Sequence, residues 1–180
     1  MAGPTFFPNS WMGKEHGFSW PQPSKWTTIT KVSEKSARLT LREVESPRAS
    51  GPRLSFSVAL FLCRNTSHPE QEAFVEVYKQ VPHSGTEFDS HAVRKAQAGK
   101  RMHPDIEAYK LFMQKKARYL PICLGEKLEF QDDYDVVPQG YIRYVVYGKL
   151  PGIRLDKTLY RSLDDAQCEA IRNAFLTAYE

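Results

Sequence analysis

The chain has 180 residues, of which 41% are hydrophobic, 12% aromatic and 26% charged, with a net charge of +4. This balance excludes collagen-like, coiled-coil and wholly disordered chains, and a domain of this size buries about 70% of the surface its unfolded form exposes. No run approaches the ~18 to 20 apolar residues of a membrane span, residues 1–20 lack the pattern of a secretion signal, and enzyme folds that need about 250 residues do not fit, so a cytoplasmic or nuclear, non-secreted protein is expected.

Residues 1–26 hold Trp11, Trp20 and Trp26 among four prolines and show no sustained periodicity, so they read as an irregular arm whose tryptophans pack on the body of the domain. From Thr27 the pattern turns to β. Thr27 to Val32 and Ala37 to Val44 predict short strands, residues 46–53 a loop, and Leu54 to Cys63 a buried strand. Phe74 to Val81 is the clearest strand. Its alternation puts Val75, Val77, Lys79 and Val81 on one face, so that Lys79 projects from an apolar strip and must either snorkel or meet an anion. A short helix is predicted around Ala92 to Ala98, and a longer one over Asp105 to Tyr119. Ile106, Tyr109, Phe112 and Met113 recur on the core-facing side of the longer helix. Glu126 to Phe130 and Tyr141 to Tyr147 predict strands on either side of an acidic turn, Gln131 to Gly140. The chain ends in a helix from about Leu163, opened by a capping box of Ser162 with Asp165, with Ile171 and Phe175 on its apolar side.

Three scattered cysteines, Cys63, Cys123 and Cys168, form no disulfide framework or C-x-x-C pair and read as reduced, mostly buried thiols. Five histidines fall in polar, loop-like contexts with no metal-ligand spacing, so no metal site is expected. Charge is uneven. Between Arg94 and Arg118 eight basic residues (Arg94, Lys95, Lys100, Arg101, Lys110, Lys115, Lys116 and Arg118) face only Asp105 and Glu107, a pattern open to nucleic acid, nucleotide or anionic lipid, or to plain solvation.

The order of elements, with Lys79 in Val77-Tyr78-Lys79 and Glu107 in Asp105-Ile106-Glu107, resembles the N-terminal lobe of the protein-kinase-like fold, including its divergent fungal-type branches. The likeness continues through residues 119–125 and through the strand and hinge of Arg143 to Gly152. It implies an α+β fold: a small antiparallel sheet packed on one long helix, with a C-terminal helix. Residues 27–152 would be the lobe and hinge, and 153–180 the incomplete start of a second lobe. It also implies a nucleotide pocket in which Lys79 holds ATP phosphates, Glu107 holds Lys79, and Val77 faces the cleft.

The chain departs from that family where its chemistry resides. It has no H-R-D or D-F-G segment to orient a nucleophile and hold magnesium, and Gly51 is its only glycine between Trp26 and Lys79. The expected function is therefore a non-catalytic kinase-like lobe, a binding or regulatory module or truncated gene product with residual nucleotide binding. Such a module would self-associate or hold a protein partner through apolar surface around Ile171 and Phe175. The alternatives are a basic domain for nucleic acid or acidic lipid and an accessory protein of a biosynthetic pathway.

Overall fold

The computed structural model describes residues 4–46, 53–115, 120–153 and 155–179. The loop expected at 46–53 lies mostly outside them, as do Lys116, Arg118 and Tyr119 at the end of the expected long helix. The chain divides into two compact units, Met1–His103 with Ile122–Lys149, and Pro104–Pro121 with Leu150–Glu180.

The first unit carries six strands: β1 (Glu15–Phe18), β2 (Ser24–Ala37), β3 (Phe56–Asn65), β4 (Glu72–Gln80), β5 (Cys123–Phe130) and β6 (Tyr141–Gly148). All neighbours are antiparallel, in the order β1-β2-β3-β4-β6-β5, so β6 enters between β4 and β5 and leaves β5 at an edge. Two register irregularities in β2, at Thr28/Thr30 and Lys31/Ser33, add the local twist that bulges impart. The sheet curls until β1 approaches β5, a nearly closed barrel without a ladder at the seam.

Alternation decides what fills the barrel. Ala59, Phe61 and Cys63 of β3, Ala73, Val75 and Val77 of β4, and Ile142, Tyr144 and Val146 of β6 are buried together with Phe7, Trp11, Phe18 and Trp26. The aromatic contacts are close: Trp11 stacks on Phe61 with centroids 6.0 Å apart, and Phe7 meets Trp11 edge-on at 4.9 Å. Trp11 and Trp26 thus pack on the body as expected, whereas Trp20 remains 55% exposed. The segment read as an irregular arm contains a 3-10 turn at Asn9–Trp11 and strand β1. A clamp seats its beginning: Glu34 accepts hydrogen bonds from the Phe6 amide (2.6 Å), Thr5 Oγ1 (2.7 Å) and Lys31 Nζ (2.7 Å), and Lys31 also donates to the Phe7 carbonyl.

The helices are short: α1 (Leu41–Val44), α2 (His91–Ala96), α3 (Pro104–Gln114), α4 (Lys157–Ser162) and α5 (Asp165–Tyr179). Residues 41–44, expected as strand, form α1 because Thr40 and Glu43 cap it reciprocally, Thr40 Oγ1 accepting from the Glu43 amide and Glu43 from the Thr40 amide. The α+β class and the antiparallel sheet are as expected, but the sheet has six strands, and the α-helices described in its own unit are only α1 and α2, of four and six residues. The helix read as 105–119 has 11 residues as described and belongs to the second unit. Of its apolar stripe only Ile106 is buried, and Phe112 is 48% exposed. The last helix is capped by Asp164 rather than Ser162, with Asp164 Oδ1 accepting from the Gln167 amide and Gln167 Oε1 from that of Asp164.

Candidate functional site

Lys79 is the one long cation placed within the buried row of β4. Its cross-strand neighbours are Ser57 on β3 and Ile142 on β6, and its side chain is 6% exposed. A lone ammonium there would be costly. It donates instead to Asp135 Oδ1 at 2.5 Å, 5.8 Å from the Trp11 ring centroid.

Asp135 is delivered by the acidic turn between β5 and β6, which is held from several directions. Gln131, buried, donates through Nε2 to the Gln80 carbonyl (2.8 Å) and accepts the Val137 amide on Oε1 (3.0 Å). Arg94 of α2 donates to the carbonyls of Asp135 (3.0 Å) and Val136 (2.7 Å), and Lys95 approaches Asp133 at 3.5 Å. The acidic turn is therefore a fitted cap, and it supplies an anion to Lys79. Val77 is fully buried opposite Ala59 and Tyr144. Glu107 lies on α3 in the second unit, where its Oε1 is buried without a hydrogen-bond partner among the described residues. Asp135 carried no spacing signal that linked it to Lys79. The apolar strip around Lys79 was the only hint that an anion had to come from somewhere.

A second group of charged and aromatic side chains gathers where β1 meets β5. His16, placed by its sequence context in a polar loop, is buried on β1, with its ring 5.0 Å from Tyr144 and 6.0 Å from Trp11, and its Nε2 has no hydrogen-bond partner. His83 and His103 are buried as well. Burial, with help from Lys127 and Lys14 and against Glu129, holds the His16 imidazole down to about 4. Lys127 of β5 lies 4.6 Å from the Tyr144 ring centroid and 5.2 Å from that of Phe18, and its Nζ pairs with Glu129 at 2.7 Å. Burial first, then the Glu129 carboxylate, pushes the Tyr144 hydroxyl far up, so it stays protonated and serves as a donor. Lys127 and Glu129 are two apart in a stretch whose sequence predicts a strand, so their shared face was legible. That His16 stands across from them was not.

Three of the eight basic residues of the window are engaged in the first unit. Arg94 and Lys95 hold the acidic turn, and Arg101 donates to the Leu54 carbonyl with its guanidinium 4.7 Å from the Phe56 ring centroid. Lys110 and Lys115 belong to the second unit, and Lys116 and Arg118 lie outside the described residues. Cys63 and Cys123 are buried and Cys168 half-buried, none of them in a disulfide, and burial raises the Cys63 thiol to about 12, which leaves it inert at neutral pH. Among the described residues no helix is long and apolar enough to cross a membrane. No protein-family model, curated protein or solved structure matches the chain.

Proposed function

We propose that the chain is a non-catalytic, kinase-like lobe that serves as a protein-binding module. The observation that supports this reading is the use made of Lys79. A lysine that holds nucleotide phosphates must present its ammonium to a cleft, whereas this one is spent on Asp135 inside the barrel. Lys79, 6% exposed, would have to give up its carboxylate partner to receive a phosphate, which is costly for a buried ammonium. Exposed apolar residues in the second unit, Leu150, Ile153, Phe175 and Leu176, at 54 to 82% exposure, supply surface of the kind that partners cover.

The test is a thermal-shift titration with ATP, with and without magnesium, on the wild-type chain and on Lys79→Met and Asp135→Asn. Melting temperatures that do not move with nucleotide, together with lower melting points for both variants, are expected. A saturable stabilisation of the wild type by ATP that Lys79→Met abolishes would overturn the reading, because a bound ligand stabilises in proportion to the logarithm of its concentration over Kd.

A further inference from the structure

A polar groove lies at the seam of the barrel. β1 and β5 stand at the two ends of the strand order, each in a ladder on one side only. They meet where Phe18 covers Gly125, so closely that a Cβ on Gly125 would lie 2.7 Å from the Phe18 ring. Next to that contact a groove of about 540 Å³ opens between residues 127–129 of β5, residues 17–19 and 23–25 of the β1–β2 hairpin, and Ser67 of the turn after β3. Its volume lies within the range of small-molecule sites.

The cations of this groove are already answered. Lys25 pairs with Glu15 at 3.1 Å and Lys127 with Glu129 at 2.7 Å, so an anionic ligand gains only by competing with a carboxylate that is in place. What the groove offers instead is hydrogen-bonding capacity of both signs. Ser19 and Ser67 are exposed, and their hydroxyls have no hydrogen-bond partner among the described residues. The side chains of Lys25 and Glu129 are 63% and 47% exposed, which leaves an ammonium donor and a carboxylate acceptor within reach of a ligand. The open edges of β1 and β5 add backbone donors and acceptors. Trp20 stands in the chain between Ser19 and Pro23, both of which line the groove, and its indole is an exposed apolar ring on that wall.

A pyranose ring answers this set: it carries no charge, its hydroxyls donate and accept around its rim, and its C–H face packs on an aromatic ring. We propose that the groove binds an uncharged mono- or disaccharide, which hydrogen-bonds to Lys25, Glu129, Ser19 and Ser67 and lays one face on Trp20. This goes beyond the protein-binding reading and is independent of it, since the ATP titration reads Lys79 alone.

Trp20 also reports on the site. Trp11 and Trp26 are buried, so of the three tryptophans only Trp20 is open to a quencher. Glucose, galactose, mannose, N-acetylglucosamine, maltose and cellobiose are each titrated into the full chain, with acrylamide quenching of tryptophan emission and saturation-transfer NMR of the sugar as readouts. At least one should protect Trp20 saturably, with a Kd on the order of 1 mM, as expected for a ligand of so few atoms at modest efficiency per atom. Lys25→Met and Glu129→Gln should each weaken that binding about tenfold, the size of one charge-assisted hydrogen bond. Trp20→Ala, followed by NMR alone, should weaken it by a similar factor of about ten. All three positions are exposed, and circular dichroism checks the fold; should one variant unfold, the other two decide. Absence of saturable binding across the panel overturns the proposal, and so does protection that the variants leave unchanged, which is the general effect of a co-solvent. Inorganic phosphate is the contrasting probe: saturable binding of phosphate and of no sugar would make the groove an anion site around Lys25 and Lys127 and overturn the proposal too.

Discussion

Burial and the cations Lys127 and Lys14 keep His16 neutral down to about 4, against an ordinary value of 6.5. Between those limits the unfolded chain binds a proton at this site that the folded chain refuses, so stability present above pH 6.5 is lost as pH falls toward 4. Urea denaturation should show a loss of about 2 kcal/mol from this group between pH 7 and pH 5. His16→Phe, which keeps a ring against Trp11 and Tyr144, should remove that part of the slope; an unchanged slope would show that the imidazole titrates freely. Burial and then Arg38 lower His83 as well, but that contribution is common to both proteins and cancels in the comparison. At Lys79 the expectation is a coupled pair. Lys79→Met and Asp135→Asn should each cost about 3 kcal/mol in chemical denaturation, and the double variant should cost less than their sum, since each single change strands the partner that the other removes. That Lys79 either snorkels or meets an anion was legible from Val77 and Val81 on either side of it on the same strand face. The identity of that anion was not, because Asp135 arrives from a turn more than fifty residues away whose placement depends on Gln131 and Arg94.

At the level of elements, the seam turns on one glycine. Gly125→Ala would drive a methyl group into the Phe18 ring and Cβ, at 2.7 to 3.0 Å, and Phe18 is too buried to step aside. A destabilisation of about 1 to 3 kcal/mol is expected, as in other overpacked cores, with hydrogen exchange rising first in β1. Protection of Glu15–Phe18 equal to that of the wild type would mean that β1 is held by β2 alone. Strands β3, β4 and β6 were legible because β-branched and aromatic residues alternate or run together in them. β1 was not: Glu-His-Gly-Phe has neither a β-branched residue nor length, and it forms by pairing with β2 through the register Glu15↔Thr27 to Phe18↔Ser24. The misreading of residues 41–44 has the opposite cause. Residues 37–44 read as a strand, but the local Thr40–Glu43 cap decided for a helical turn at 41–44.

For the whole molecule, charge is a matter of placement rather than of total. The net +4 and the basic window suggest affinity for polyanions, yet Arg94, Lys95 and Arg101 are engaged within the first unit. A labelled single-stranded oligonucleotide should therefore bind no more tightly than about 1 µM at physiological salt, the tight end of non-specific electrostatic contact. Arg94→Ala should lower the melting temperature without altering that weak affinity, whereas submicromolar, steeply salt-dependent binding would restore the basic-domain reading. The insertion of β6 between β4 and β5 also bears on synthesis. While the chain emerges from the ribosome, β4 has its β3 partner at once, but its other edge stays open until Tyr141–Gly148 has been made, and β5 appears before the strand that joins it to the sheet. Closure of the barrel is thus a late, long-range event, during which the edge of β4 is the segment most exposed to wrong pairing.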